Sequence, residues 1–274
     1  MRVCKTYEFE GGIKGFRLGW SAVGPPLMSV YFYLYDRLMV DTGQAHMGPE
    51  VLKIARENRV ERIVLTHHHE DHSGNAALVH GSTGARVFGH ELTRAKMETG
   101  YPILPYQKYV WGKTTPVGVA PLPEHFDTGL GPMIPVHTPG HSRDHTSYFL
   151  PDRGVLFTGD LYLGDRIKFL RSDEDLGAEV DSLKKVMELD FEVLLCNHNP
   201  RKEKGKEHIR LKLDFMENLY GSIVGLYKEG CGEKEIFSRL KLKEDYFTKW
   251  FCFGNVSMMN GVRSVIRHHE TAAN

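Results

Sequence analysis

The first half of the chain alternates short apolar runs with turns. Four of these runs are rich in β-branched, aromatic or other apolar residues and predict strands: SVYFYLYD (29–36), RLMVD (37–41), RIVLT (62–66) and RVFG (86–89). Two stretches between them repeat apolar positions at helical spacing, HMGPEVLKIARENRV (46–60) and HELTRAKME (90–98). Because RIVLT runs directly into THHH, a buried strand would deliver polar side chains at its C-terminal end.

A second series of strands and a helix follows in residues 133–198. The predicted strands are MIPVHTPG (133–140), TSYFLP (146–151), VLFTGD (155–160) and FEVLLCNH (191–198), and the predicted helix is DEDLGAEVDSLKKVMEL (173–189). Each half has strands followed by helices, without the strict alternation of a doubly wound sheet. The predicted fold for residues 1–200 is therefore an α/β protein of the αββα sandwich type, with two packed sheets and helices outside.

Two segments depart from this pattern. Residues 100–132 are rich in Pro, Gly and Tyr, which predicts a long irregular loop of the kind that often carries function. From about Lys202 the apolar spacing becomes helical throughout, with no strand pattern. Three helices are predicted there, IRLKLDFMENLYGSIVGLYKEG (209–230), KEIFSRL (234–240) and NVSMMNGVRSVIRHH (255–269). Residues 201–274 are thus predicted to form a helical C-terminal extension that covers the site.

Composition narrows the classes of partner. Lys plus Arg and Asp plus Glu number 35 each, so a surface for nucleic acid is not expected. No run approaches 18 apolar residues, and the N-terminus MRVCKTYEFEGGIKGF is too polar for a signal peptide, so neither a membrane partner nor export is predicted. The four cysteines form no CxxC pair, which disfavours a zinc ribbon or disulfide framework and favours a reducing, cytoplasmic location.

Histidine is the compositional anomaly, with 15 copies, four of them in THHHEDHSGN (66–75). His67 and His69 are two residues apart, so on an extended segment they point the same way. Asp71 and His72 follow where a turn into a helix would aim them at a neighbouring point. Two sets of nitrogen and oxygen donors this close would suit two metal ions, although one stretch cannot complete both coordination shells.

Three later strands supply the missing donors, since each is predicted to end near a histidine or an acid. These residues are His141, Asp160 and His198. HxHxDH followed by GH, TGD and a strand-ending histidine resembles the metal-binding pattern of the metallo-β-lactamase superfamily. VDTG (40–43) resembles the early aspartate motif of the same family, and the resemblance extends over about residues 17–200. The αββα sandwich that it implies agrees with the strand pattern.

The resemblance implies a dinuclear metal-dependent hydrolase that cleaves an ester-like bond with a metal-bridging hydroxide. One ion would be bound by His67, His69 and His141, the other by Asp71, His72 and His198, with Asp160 bridging both. Asp71 would also act in catalysis by orienting the hydroxide or moving a proton, and Asp41 would hold a ligand histidine in its tautomer. Two divalent ions are expected, zinc first, with iron or manganese as alternatives.

A small-molecule thioester, carboxylic ester or lactone is the expected substrate class. Candidate substrate contacts are Arg166, Lys168 and Arg171 for an anionic group, and Tyr106, Tyr109 and Trp111 for a wall of the site. The alternative for the three basic side chains is a solvated loop. The alternative for the three aromatic side chains is packing in a core or in a dimer contact, so a homodimer is also possible from the sequence. Leu170 stands where glyoxalase II carries a tyrosine, so classical glyoxalase II specificity is not expected.

The sequence leaves other functions possible for the protein and other roles possible for several of its residues. Phosphodiester cleavage as in lactamase-like ribonucleases, β-lactam hydrolysis, a mononuclear iron persulfide dioxygenase and a non-enzymatic binding module are the alternatives. Histidine at position 69, where the family's diiron flavoproteins carry glutamate, disfavours oxidase chemistry. Packing, surface or hydrogen-bonding roles, not metal binding, are expected for His68, Glu70, His145, His268 and His269. The same holds for His46, which would otherwise line the pocket, and for Cys196, expected to be a buried strand residue.

Overall fold

The protein is described by a computed structural model that covers residues 1–273. The strands are β1 (Arg2–Glu8), β2 (Lys14–Trp20), β3 (Ser29–Tyr35), β4 (Leu38–Val40), β5 (Arg62–Val64), β6 (Arg86–Gly89), β7 (Ala120–Pro121), β8 (Phe126–Thr128), β9 (Gly131–His137), β10 (Thr146–Leu150), β11 (Val155–Gly159), β12 (Leu170–Arg171), β13 (Val193–Cys196) and β14 (Val256–Ser257). The α-helices are α1 (Gly48–Glu57), α2 (Glu70–Ser73), α3 (Ala76–Thr83), α4 (Glu91–Thr99), α5 (Pro105–Val110), α6 (Leu176–Met187), α7 (Gly205–Lys228), α8 (Glu233–Arg239), α9 (Tyr246–Phe251) and α10 (Met258–Ala273).

Two sheets pack face to face at the centre of the molecule. Strands β1 to β7 form one sheet in chain order, and the second sheet has the order β13-β11-β10-β9-β8. Buried residues of both sheets meet between them, including Tyr33 and Val64 from the first and Phe157 and Leu195 from the second. Helices α1 and α3 cover the outer face of the first sheet, and α6, α7 and α10 cover the second. The predicted αββα sandwich is confirmed.

Parallel pairing brings the ends of several strands to one edge of the sandwich. Strands β4, β5 and β6 run parallel in the first sheet, and β11 runs parallel to β13 in the second. The carboxyl ends of neighbouring parallel strands point the same way, so the segments that follow them emerge at the same edge. The polar segments that follow β4, β5, β11 and β13 are the four that carry Asp41, His67, Asp160 and His198.

The C-terminal helices share a core with the second sheet. Ile209 and Met216 of α7 and Val262 of α10 are fully buried in the same cluster as Leu156 and Leu194 of that sheet. The expectation of no strand beyond residue 202 was wrong, because β14 pairs with β12 in a small antiparallel sheet. Although α7 is 24 residues long, no helix within residues 1–273 is long and apolar enough to cross a membrane. A division of the chain at residue 200 stays a prediction.

The expectation of irregular structure throughout residues 100–132 was also wrong. The segment contains α5, β7 and β8. Pro105 suits the first turn of α5, and the Leu104 backbone N–H donates to the Gln107 side-chain Oε1 at 2.8 Å, which stabilises the start of this helix. Strands β1 and β2 were not predicted either. Because β1 is an edge strand with mostly exposed residues, it lacks the apolar alternation that identifies a strand in sequence.

Candidate metal centre

The histidine-rich segment leaves the sheet after β5 and turns into the short helix α2. The backbone N–H groups of His72 and Ser73 both donate to the His69 carbonyl oxygen, at 3.0 and 2.8 Å. The Ser73 hydroxyl donates to the His68 carbonyl oxygen at 2.6 Å, which tightens the same turn. The extended residues before the turn and the helical residues after it therefore face two neighbouring points.

The first donor set consists of three buried histidines. His67 Nε2 lies 2.8 Å from His69 Nδ1, and His141 Nε2 lies 3.0 Å from the same atom. The outer nitrogens of two of these rings are engaged, since His141 Nδ1 lies 2.7 Å from Glu174 Oε1 and His67 Nδ1 lies 3.0 Å from the Thr66 hydroxyl. A neutral ring that donates from Nδ1 presents a lone pair at Nε2. His67 and His141 thus direct lone pairs towards one point.

The second donor set combines two histidines with two carboxylates. His72 Nε2 lies 3.3 Å from Asp160 Oδ1 and 3.7 Å from Asp71 Oδ2. His198 Nε2 lies 3.3 Å from Asp71 Oδ2 and 3.5 Å from Asp160 Oδ1. The other oxygen of Asp160, Oδ2, lies 3.4 Å from His141 Nε2 in the first set. Asp160 is therefore the one residue of the two sets whose carboxylate oxygens face both of them.

The chemistry and spacing of these donors fit divalent cations. Each set brings one ligand atom per residue to within 4.8 Å of the others. Ligands of a tetrahedral zinc with bonds of about 2.05 Å lie roughly 3.3 Å apart, close to the spacing in the second set. His72 Nε2 and Asp160 Oδ1 are buried, and although they lie 3.3 Å apart, neither forms a hydrogen bond of good geometry within residues 1–273. Buried polar atoms are rarely left unpaired, so a cation between them would account for the arrangement.

The two sets differ in electrostatics. In the first set burial holds the pKa of His67 and the pKa of His69 well below their ordinary value, while Glu174 outweighs burial and raises the pKa of His141. In the second set burial also opposes protonation of the histidines. Asp160 and Asp71 outweigh this effect and raise the pKa of His198 to about 10. The same two carboxylates, with Asp41, hold the pKa of His72 well above its usual range. A cation entering this set must displace those protons, so its affinity should fall as pH falls.

Asp41 orients a histidine of the second set from behind. Its Oδ2 lies 2.8 Å from His72 Nδ1 and accepts hydrogen bonds from the Thr66 hydroxyl and the Asn197 amide at 2.8 and 2.7 Å. Asp41 follows β4 in the left-handed backbone region, with φ of 59°, which a non-glycine residue adopts at a cost. The buried hydrogen bonds hold the carboxylate in this position, and the carboxylate fixes the orientation of the His72 ring.

Position 159, in TGD, requires glycine because two neighbouring side chains approach its backbone closely. Its φ is +51°, and a Cβ at this position would lie 2.5 Å from His145 Nε2 and 2.9 Å from Thr66 Cβ. His145 Nε2 accepts a hydrogen bond from the Asp160 backbone N–H at 3.0 Å. A side chain at position 159 would therefore displace the ring that supports Asp160.

Glu174 is a site residue that sequence reasoning missed. Its Oε1 lies 2.7 Å from His141 Nδ1, and its Oε2 accepts a hydrogen bond from the Arg171 backbone N–H at 3.1 Å. It orients His141 as Asp41 orients His72. DEDLG (173–177) places Glu174 among other acids at a helix start, and no motif in the sequence separates it from them.

Glu174→Gln is expected to weaken metal binding by the first set roughly 10- to 100-fold, because the charged partner of His141 is lost while its shape is kept. Competition with a chelator, followed by metal release, measures this affinity. Glu188→Gln, at an exposed position at the end of α6, is the control and should leave the affinity unchanged. Equal affinities for the two variants would show that Glu174 does not tune this set.

His68 and Glu70 belong to neither donor set. Both are buried, with 5% and 1% exposure, so they pack inside the protein. His68 Nδ1 lies 3.0 Å from Asp144 Oδ1, and Asp144 Oδ2 accepts a hydrogen bond from the Thr93 hydroxyl at 2.8 Å. These contacts link the histidine-rich segment to α4. Burial raises the pKa of Glu70 to about 7.

The remaining singled-out residues lie outside the two donor sets. His46 stacks on Trp20 with ring centroids 3.9 Å apart, and His268 Nδ1 lies 2.8 Å from Asp175 Oδ1. His269 lies near Tyr227, with ring centroids 6.5 Å apart. Cys196 is fully buried, which raises the pKa of its thiol to about 12 and makes it a poor nucleophile.

The candidate substrate contacts divide into those near the donor sets and those away from them. Trp111 is buried with its ring 6.2 Å from the His198 ring. Burial and then the charge of Arg171, which is paired with Asp173 at 3.1 Å, lower the pKa of His69. Tyr106 is half-buried, and its hydroxyl donates to Asn255 Oδ1 at 2.8 Å.

Three further candidates are exposed. Arg166 lies over the Phe215 ring of α7 at 5.9 Å, and Lys168 lies in the same loop. Tyr109 is 47% exposed and packs edge-on against Trp20, with ring centroids 6.2 Å apart. The contacts of Arg166 and Tyr109 are with Phe215 and Trp20, which belong to neither donor set.

An αββα sandwich with two His/Asp donor sets at one edge defines a metal-binding protein of the α/β class. Residues 26–198 match the family model of the metallo-beta-lactamase superfamily, which covers more than half of the chain. This chain belongs to the metallo-beta-lactamase superfamily, as the motifs predicted.

Several named proteins are similar to this chain in sequence, and several solved structures are similar to it in fold. The atrochrysone carboxyl ACP thioesterase of Passalora fulva is 32% identical over 60% of this chain and 45% of its own length. The hydroxyacylglutathione hydrolase of Cereibacter sphaeroides is 30% identical over 70% of this chain and 69% of its own length. A metallo-beta-lactamase family protein from Thermus thermophilus shares the fold, with a TM-score of 0.63, 22% identity and coverage of 91% and 92% of the two chains. The chain spans about half the length of several relatives that it matches.

Proposed function

We propose that this chain is a dinuclear metal-dependent hydrolase that cleaves ester-like bonds, thioesters first among them. The observation that carries the proposal is the position of Asp160, whose two carboxylate oxygens face the two donor sets at 3.3 and 3.4 Å. A carboxylate placed in this way suits a pair of ions that share one site. Complete sets of three and four donors favour a dinuclear centre over the mononuclear iron of a dioxygenase.

His67, His69 and His141 would hold one ion, and Asp71, His72, Asp160 and His198 the other. Imidazole and carboxylate donors at tetrahedral spacing suit zinc before iron or manganese. Divalent ions bound there would supply Lewis-acid polarisation of a carbonyl oxygen and lower the pKa of bound water to about 7.

The chain's own groups would do the rest of the chemistry. Asp71 is 7% exposed, and its Oδ2 lies 3.3 Å from His198 Nε2, so it is placed to orient water and pass a proton to the leaving group. Asp41 and Glu174 hold the rings of His72 and His141 in fixed orientations. Trp111 beside His198 provides an apolar wall that limits solvent access.

The substrate class rests on the relatives and on charge. A thioesterase and a hydroxyacylglutathione hydrolase among the relatives favour thioesters, with carboxylic esters and lactones next. The proposed contact for an anionic group of a small-molecule substrate is Arg171, whose guanidinium is paired with Asp173 at 3.1 Å. Balanced net charge disfavours phosphodiester cleavage of nucleic acid. A cytoplasmic location and a homodimer stay predictions.

A metal-quantified hydrolysis panel tests the proposal. Thioesters, aryl esters, lactones, phosphodiesters and β-lactams are offered to the zinc-loaded protein, and metal per chain is measured in the same samples. We expect two ions per chain and the highest kcat/KM on a thioester. Asp71→Ala is expected to lower that rate at least about 100-fold, because a proton-transfer group and a metal ligand are lost together.

Two outcomes would contradict the proposal. Full activity of Asp71→Ala would rule out the role given to this carboxylate. One iron per chain with oxygen uptake on a persulfide, and no metal-dependent hydrolysis of any ester, would instead identify a dioxygenase.

A further inference from the structure

Helix α9 and the turn after it present an aromatic surface to solvent. Tyr246, Phe247, Trp250 and Phe253, which we call the aromatic stripe, are 61%, 73%, 74% and 70% exposed. At 100° per residue the three members within α9 fall inside about 100° of one another around the helix axis. Each of the four side chains has a surface of about 200 Å², and about 0.7 of it is exposed, which leaves roughly 550 Å² of aromatic surface uncovered. This area is as large as the biggest apolar patches on typical monomers, and such patches are often functional.

The stripe is built on a firmly held helix. The Asp245 side chain accepts hydrogen bonds from the backbone N–H and the hydroxyl of Thr248, at 3.0 and 2.8 Å, and so caps the helix. Glu244 accepts hydrogen bonds from Lys249 Nζ at 2.9 Å and from the Ser257 hydroxyl at 2.7 Å. These contacts fix the start of α9 and tie it to Ser257 of β14, and in this arrangement the four aromatic side chains are exposed.

Two basic side chains precede the stripe in the sequence. Lys241 and Lys243 precede α9 by five and three residues and are exposed. Within residues 1–273 neither lysine forms an ion pair with an acidic side chain, while Lys249 is paired with Glu244. Residues 241–249 carry three lysines against Glu244 and Asp245, so their net charge is positive, whereas the chain as a whole has a formal net charge of zero.

We infer that the aromatic stripe, with Lys241 and Lys243, docks the protein on an anionic lipid bilayer. Lysines beside an exposed apolar helix face are typical of elements that lie in the plane of a membrane interface. Trp and Tyr favour that interface because one end of each ring is apolar and the other forms hydrogen bonds with water or headgroups. The inference departs from the expectation of no membrane partner, which considered only a spanning helix; within residues 1–273 no helix could span.

Two other occupants fit these observations less well. Lysine is depleted at protein–protein interfaces, where aromatic residues and arginine are enriched. A second copy would be a protein partner of this kind, and it would carry the same lysines into the interface. Positive charge beside an apolar surface therefore favours anionic lipid over a protein partner.

Docking would bring the metal centre near the bilayer. Phe247 stacks on Phe251 with ring centroids 6.2 Å apart, and Phe251 lies at the same centroid distance from Tyr106 in α5. A line of aromatic rings thus connects the stripe to the segment that carries Trp111 beside His198. The docking itself does not depend on the proposed hydrolysis.

Vesicle binding tests the inference with the whole chain. Cosedimentation with vesicles of phosphatidylcholine, with and without added phosphatidylserine, is measured together with tryptophan fluorescence. We expect binding only to vesicles with phosphatidylserine, loss of binding at high salt, and a blue shift that Trp250→Phe removes. The F247S/W250S double variant should bind roughly 100-fold more weakly, and the K241Q/K243Q variant roughly 30-fold more weakly.

Exposed apolar residues elsewhere provide the matched control. Val23 and Leu27 are 87% and 62% exposed in the β2–β3 loop, and V23S/L27S should bind vesicles like the original chain. Unchanged circular dichroism would show that each variant is folded. The inference is overturned by absent or equal binding to the two vesicle types, or if the lysine variant binds as tightly as the original. A dimer in light scattering that only F247S/W250S dissolves would also overturn it and assign the stripe to a second copy.

Discussion

Asp160→Ala is expected to lower hydrolytic activity at least about 1,000-fold and to reduce bound metal below two ions per chain. Removing an outer partner of a ligand alone costs roughly 10- to 100-fold, and Asp160 faces both donor sets directly. Both sets should therefore weaken together.

Metal analysis and steady-state kinetics on the same preparations check this expectation. Asp190→Asn is the control, because Asp190 is exposed just after α6 and belongs to neither donor set. It should keep full metal content and activity. An Asp160→Ala protein that still binds two ions with unchanged affinity would show that the carboxylate does not bridge them.

Lys212→Met is expected to lower the free energy of unfolding by about 3–5 kcal/mol. Lys212 of α7 is 1% exposed, and its ammonium group donates to Glu179 Oε1 at 2.6 Å and to the Leu161 carbonyl oxygen at 2.7 Å. Methionine fills similar space but leaves the Glu179 carboxyl and that carbonyl buried without their partner. Since domains are typically stable by only about 5–15 kcal/mol, this is a large fraction of the total.

Urea denaturation at neutral pH, with both proteins in the same metal state, measures the difference. Lys184→Met is a matched control, because Lys184 on α6 pairs with Glu217 on α7 at 2.8 Å but both side chains are about half exposed. An exposed pair of this kind is worth about 0–1 kcal/mol. If the two variants lost equal stability, burial of the Lys212 pair would not be what makes it important.

The same lysine links the C-terminal helices to the metal centre. Leu161, whose carbonyl oxygen accepts its hydrogen bond, follows Asp160 directly, and Glu179 lies on α6, close behind Glu174. In the sequence Lys212 is one of several charges in an amphipathic helix. An ordinary helical pattern would place such a residue on the solvent side, and only the packing of α7 on α6 buries it.

Local chemistry made the fold class and the donor residues predictable. Runs such as VLFTGD and FEVLLCNH combine a strand pattern with a polar end, and HxHxDH places its donors within six residues. These features depend on neighbours along the chain, so a linear sequence displays them. The αββα sandwich and the family followed from them and were confirmed.

Other features depend on residues far apart in the chain. Edge strand β1 has too little apolar alternation to be recognised, and α5 breaks a segment whose prolines predicted an irregular loop. The aromatic residues of α9 have the spacing of a buried helix face, yet the fold turns them outward.

By itself, the sequence determined which donors are present, in which order, and on which strands, because those properties are set by residue type and local spacing. Only the tertiary structure decided that Glu174 rather than another acid contacts His141 and that the ring of Trp111 lies beside His198. The family resemblance implied that Asp160 bridges the two sets, but it is the packing that brings its two oxygens to both of them. The physical reason is that each of these contacts joins side chains from separate elements, far apart along the chain. Its geometry is fixed by the packing of two sheets and their covering helices.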